Sequence, residues 1–201
     1  MPTMEARAEN GAMRDKLFDA ARELIGQLGY SEMSHADLTA LVGIGRTTFY
    51  EHFSSKEDLL VQMVRRDLPP IVTEIVESVD PSLPPDGRLH ELARRMVEFV
   101  GTDHMGLILH TEVPHLSPEA QEAIAEAHTS LALAFASTYR EGLESGVFRS
   151  VPRRLAGRMM EQMIMTGGQA VMDSEDPVRA VADVARHTAD MVVAAFRVDP
   201  A

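Results

Sequence analysis

The stretch "LTALVGIGRTTFYEHFSSKEDLL", residues 38–60, decides the fold. Its apolar residues fall at helical spacing on both sides of the tight turn Gly43-Ile44-Gly45. A short helix before the turn presents Leu38, Leu41 and Val42, and Gly43 ends it. A second runs from about Arg46 to Phe53 with Phe49 and Phe53 on its buried side. Ser34 caps the first helix, with Asp37 three residues on, a capping-box-like start. Two short helices with a glycine-bearing turn outline a helix-turn-helix, which also occurs as ordinary packing.

The flanks are helical too. Leu17, Phe18, Ala21, Leu24, Ile25 and Leu28 form one stripe of a preceding helix that Gly29 stops. A fourth helix begins near Ser54 or Ser55, and Pro69-Pro70 is expected to kink or end it. Helices follow over 88–100 and about 105–111, then a long one from Pro118 to about Ser145. The last pair covers 153–172 and 177–197. The expected fold is all-α with about nine helices: an N-terminal three-helix domain and a larger helical domain. Residues 1–11 read as a flexible arm, 12–66 as the helix-turn-helix domain with helix 4 as connector, and 67–201 as the second domain.

Composition bounds the function. The 201 residues are 45% hydrophobic, enough for a sizeable core, and include no cysteine, which removes disulfides and thiolate chemistry. No apolar run approaches the roughly 20 residues of a membrane helix, and no signal pattern opens the chain, so a cytoplasmic protein is expected. The formal charge of −12 argues against phosphate contacts, but the acid is unevenly spread. Residues 1–66 hold eight Lys or Arg against ten Asp or Glu, and the remainder 11 against 21.

On the second short helix, a 100° step per residue sends Thr47 and Glu51 directly outward if Phe49 and Phe53 face the core. Thr48 and Tyr50 lie on the flanks, with Arg46 and His52 nearer the core edge. Such a face suits groove edges and phosphates, and it is equally a normal solvated surface.

With "GYSEMSHAD" before it, this stretch resembles the signature of TetR-family transcriptional regulators. Gly29-Tyr30, Ser34, Leu38, Gly43, Thr48, Phe49-Tyr50, His52-Phe53, Lys56-Glu57 and Leu59-Leu60 fall in register. The resemblance covers about residues 12–60. It implies that Arg46, Thr47 and Thr48 face bases or adjacent backbone. It implies that Ser34, Tyr50, His52 and Lys56 hold phosphates of double-stranded operator DNA. Departures are Gly45 for a usual Ser, Thr39 and Val42 for usual Ala, and Ala36 where some members carry a longer base-reading side chain. Glu51 either accepts from a cytosine amino group, or merely repels phosphate or holds Arg46 in a local pair.

The resemblance also implies a homodimer and a small-molecule effector in the larger domain. Gly167, Gly168 and Ala170, with Val184, His187 and Met191, are the expected dimer interface; an internal core helix is the alternative. Met96, Phe99, Met105, Leu109, Phe135 and Met163 are the expected lining for a lipophilic effector, although such a methionine stripe also reads as core filling. His104, His110, His115 and His128 offer no i, i+4 pair, so no metal is expected, nor any cofactor. No nucleophile has an adjacent base, and no phosphate loop appears, so no catalytic residue is assigned. The expected function is a ligand-responsive regulator, most simply a repressor. The rival is a small-molecule-binding protein or enzyme whose helix-turn-helix is vestigial or recruits protein.

Overall fold

A computed structural model describes residues 4–198, apart from the side chains of residues 4–9, His104, Leu107 and His110. Ten α-helices follow one another among the described residues: α1 Met4–Leu28, α2 His35–Val42, α3 Arg46–His52, α4 Lys56–Glu77, α5 Pro85–Thr102, α6 His104–Thr111, α7 Pro118–Ala127, α8 Thr129–Glu144, α9 Arg153–Met172 and α10 Pro177–Phe196. A 3₁₀ turn, Val113–His115, separates α6 from α7.

Three boundaries differ from expectation. First, α1 starts at Met4, so most of the expected arm over 1–11 is helix, and residues 1–3 lie outside the described residues. Hydrogen bonds fasten its second and third turns: Asn10 Oδ1 lies 3.0 Å from His52 Nδ1, and Arg14 Nη1 donates to the His52 carbonyl at 3.2 Å. Second, α4 continues through Pro69 and Pro70 to Glu77. Each proline costs an amide donor. Leu68, Val72 and Ile75 stay buried on either side of the two prolines and hold the helix in place. Third, the expected long helix over 118–145 divides at His128, whose φ of −118° and ψ of 17° interrupt the helical ladder before Thr129-Ser130.

The chain forms two compact units. The first takes the residues up to Asp67 and also Thr111–Ala125. Its core gathers Leu17, Phe18, Met33, Leu38, Phe49, Phe53, Leu59 and Met63, each 4% exposed or less. Phe18 meets Phe53 edge-on with centroids 5.2 Å apart, and the Arg14 guanidinium covers Phe53 at 4.8 Å. Glu57 joins the later segment to this unit: its carboxylate accepts from Ser117 Oγ at 2.5 Å and from the Ser117 amide at 3.1 Å. Ser117 Oγ in turn accepts from the Ala120 amide, capping α7.

The second unit takes Leu68–His110 and the chain from Glu126 onward. Here α5, α9 and α10 pack against one another at very close range. A Cβ on Gly168 would lie 2.2 Å from Val100 Cγ1, and one on Gly167 would lie 2.6 Å from Thr188 Oγ1. Only glycine admits these neighbours. Both glycines are buried. They are therefore used inside the protomer, between α9 and its neighbours α5 and α10, and do not present the dimer surface expected of them.

Candidate nucleic-acid interface

The turn that aims α3 depends on Gly43. Its φ of 75° is left-handed, and its amide closes α2 by donating to the Thr39 carbonyl at 2.9 Å. At the other end of α2, Ser34 and Asp37 complete the capping box. The Asp37 amide donates to Ser34 Oγ at 3.2 Å, and Ser34's amide and hydroxyl both donate to Asp37 Oδ2. These bonds hold the Asp37 carboxyl below its ordinary range. The Ser34 hydroxyl is thus engaged locally, although the residue is exposed.

On α3 the pattern 49/53 is buried and its complement faces out. Phe49 and Phe53 are 0% and 1% exposed. Thr47 and Glu51 are exposed, and Thr48 and His52 are half-buried. Arg46 is exposed as well, not near the core edge as the helical wheel suggests. Its side chain is long enough to lie along the helix, donating to Tyr50 Oη at 3.3 Å with its guanidinium 5.5 Å from that ring's centre.

Tyr50 is braced from beneath by His35 of α2, whose ring stacks on it at 5.6 Å with planes 27° apart. The same imidazole meets Phe49 edge-on at 4.9 Å. Burial, and then the charges of Arg46 and Lys56, push the His35 pKa down, so the ring is neutral at pH 7. Its Nε2 is buried without a hydrogen-bond partner among the described residues. Nothing in the sequence signature singles out His35; only the folded pair of helices brings it under Tyr50.

Lys56 turns inward. Its ammonium donates to the carbonyls of Tyr30 at 2.9 Å, Met33 at 3.0 Å and Ser31 at 3.3 Å, and lies 4.4 Å from the centre of the Tyr30 ring. All three of its N–H donors are thereby occupied. Burial, and then the carboxylates of Glu57 and Glu112, push the Tyr30 hydroxyl up to about 12. Lys56 is in position to order the loop between α1 and α2, with no donor left for a phosphate. The expectation that it grips DNA meets this local demand for its protons.

In the second unit the six residues expected to line an effector pocket lie at varied depth. Met96 and Met105 are buried, and Phe99, Leu109, Phe135 and Met163 are half-buried. Of the expected interface residues, Ala170, His187 and Met191 are exposed, Met191 at 56%, and Val184 is half-buried. Among the described residues no group of three or more His, Asp or Glu is placed to hold a metal ion. No helix there is long and apolar enough to cross a membrane.

Comparison with known proteins matches both parts of the chain. Residues 17–63 fit the family model "Bacterial regulatory proteins, tetR family", and residues 82–166 fit "Tetracyclin repressor-like, C-terminal domain". The transcriptional regulator YhgD of Bacillus subtilis is 24% identical over 145 residues, covering 72% of this chain and 76% of the relative. A transcriptional regulator from Saccharomonospora viridis, solved with choline, superposes with a TM-score of 0.71 at 22% identity, over 94% of this chain and 99% of that one. FadR from Bacillus subtilis, solved with stearoyl-CoA, superposes with a TM-score of 0.68 at 21% identity, over 87% and 97%.

Proposed function

Because the chain belongs to the tetR family of bacterial regulatory proteins and is a transcriptional regulator, we propose that it works as a homodimeric, effector-released repressor of a palindromic operator. One observation carries the DNA half of this reading. Arg46, Thr47 and Tyr50 project together from α3 while Phe49 and Phe53 anchor its opposite side. A guanidinium, a methyl-bearing hydroxyl and a phenol are the groups that read base edges and hold phosphates. Thr48, Ser34 and His52 lie beside them, and Lys56 serves as the residue that positions the loop.

A second copy gives the interface its symmetry. On α10, Val184, His187 and Met191 recur at three- and four-residue steps, with Met191 56% exposed. On α9, Leu155 and Met159, 50% and 45% exposed, continue to Ala170. Such apolar stripes are what a bundle with a symmetry mate would cover. Two α3 helices would then enter successive major grooves, about 34–36 Å apart. Helix α4, unbroken from Lys56 to Glu77, is the element through which an effector would change that separation. The choline and stearoyl-CoA complexes of the two structural neighbours show that ligands of opposite charge suit proteins of this fold.

Fluorescence anisotropy with fragments of the DNA upstream of the coding sequence, at two salt concentrations, tests the reading. Arg46→Ala and Thr47→Ala should change which sequence is preferred, whereas Tyr50→Phe should weaken all sequences alike. A complete lack of salt-sensitive binding would favour a ligand-binding protein with a vestigial helix-turn-helix.

A further inference from the structure

We propose that a cleft in the second unit, between the end of α4, the start of α5, and α8, binds an amphipathic anion: an acid head group carried on an apolar chain. The cleft has a volume of about 470 Å³, within the ~300–1,000 Å³ of small-molecule sites. Its apolar walls are Val76, Val79, Leu92 and Leu133, the last 63% exposed, and Arg88, Arg140 and Arg153 line it as well. In a chain with 31 Asp and Glu against 19 Lys and Arg, not one of the residues lining this cleft is acidic. Three cations converging on apolar walls in an acidic protein select charge and shape together.

The arginines are only partly neutralised by their neighbours. Arg88 pairs through Nη2 with Glu141, but its Nε is buried with no hydrogen-bond partner. The guanidinium therefore keeps unused donor capacity at the edge of the cleft. Arg140 reaches Glu144 only at 3.9 Å, with both side chains about two-thirds exposed. Arg153 is exposed and forms no ion pair among the described residues. A cationic ligand would meet three like charges here. A neutral apolar one would gain nothing from the guanidinium charges. An anion with an apolar chain satisfies both the guanidinium groups and the walls.

None of the six residues expected to line an effector pocket lines this cleft. Its regulatory consequence rests on the effector reading above; binding itself does not, and the two are measured separately. The full-length protein is titrated with dansylaminoundecanoate, whose fluorescence rises on entering an apolar site, and the probe is competed with decanoate, decanol and decyltrimethylammonium. Decanoate should displace it at least about tenfold better than either of the others. Arg88→Gln and Arg153→Gln should each weaken decanoate several-fold, while decanol is unaffected. Arg153 is exposed at the start of α9, so its variant keeps the test valid if Arg88→Gln impairs folding. Equal competition by all three, or decanoate binding unchanged in both variants, would overturn the proposal. Decanoate binding with no change in operator affinity would preserve the site and remove its role as the effector site.

Discussion

The ammonium of Lys56 lies over the ring of Tyr30 and donates to that residue's own carbonyl at 2.9 Å. One cation thus holds both the backbone and the side chain of the loop that delivers α2. Replacing Lys56 by Met removes three hydrogen bonds and a cation–π contact at a half-buried site, a loss of about 1–3 kcal/mol in chemical denaturation. The salt dependence of DNA binding should keep its slope. A slope flatter by roughly one unit would mean that Lys56 reaches a phosphate after all.

Tyr30 itself gives a pH signature. Its hydroxyl is raised to about 12 in the folded protein, above the ordinary 10, because the phenolate would be buried beside Glu57 and Glu112. The folded state therefore binds this proton more tightly than the unfolded one. Stability from this residue is intact below pH 10 and is lost between 10 and about 12. Ultraviolet titration at high pH should show a late-ionising step, and Tyr30→Phe should abolish it.

His35 works in the opposite pH direction. Its folded pKa lies below the ordinary 6.5, so the unfolded chain takes up the proton first as pH falls. Stability is full above 6.5 and declines as acidification proceeds towards the folded value. His35→Phe removes the unmatched Nε2 while keeping a ring under Tyr50. The variant should be no less stable at pH 7 and should lose less stability than the parent at pH 5, as read by paired denaturation curves.

Gly168 tolerates nothing larger. Adding a methyl group 2.2 Å from Val100 Cγ1 forces α9 away from α5, so Gly168→Ala should cost about 1–3 kcal/mol. Pairing it with Val100→Ala, which removes the 2.2 Å contact and leaves only the one to Cβ at 2.6 Å, should recover part of the loss. A double-mutant cycle with no coupling would show that the two sites do not share a contact.

Met191 tests the assembly. Placing a carboxylate at this 56% exposed position, as in Met191→Glu, should leave the protomer folded and shift sedimentation to monomers. The same change should weaken operator binding far more than it lowers the melting temperature. An unchanged oligomeric state would exclude this face of α10 from the interface.

Much of the first unit is legible in the residues alone. The burial of Phe49 and Phe53, the outward set of Thr47 and Glu51, the Ser34–Asp37 cap and the stop at Gly43 all arise from neighbours within four positions. Helical periodicity and capping are local, so adjacent residues specify them. Local rules allowed the helix to end at Pro69-Pro70, where buried Leu68, Val72 and Ile75 instead carry it across two missing donors.

What the tertiary structure alone decided are pairings between distant positions. Lys56 faces Tyr30, Gly168 faces Val100, Glu57 holds the Ser117 that caps the helix starting at Pro118, and three arginines from α5, α8 and α9 line one cleft. A helix pattern specifies which side of a segment is apolar, but not which neighbour that side will meet. That choice belongs to the packed chain, where each close contact excludes the others.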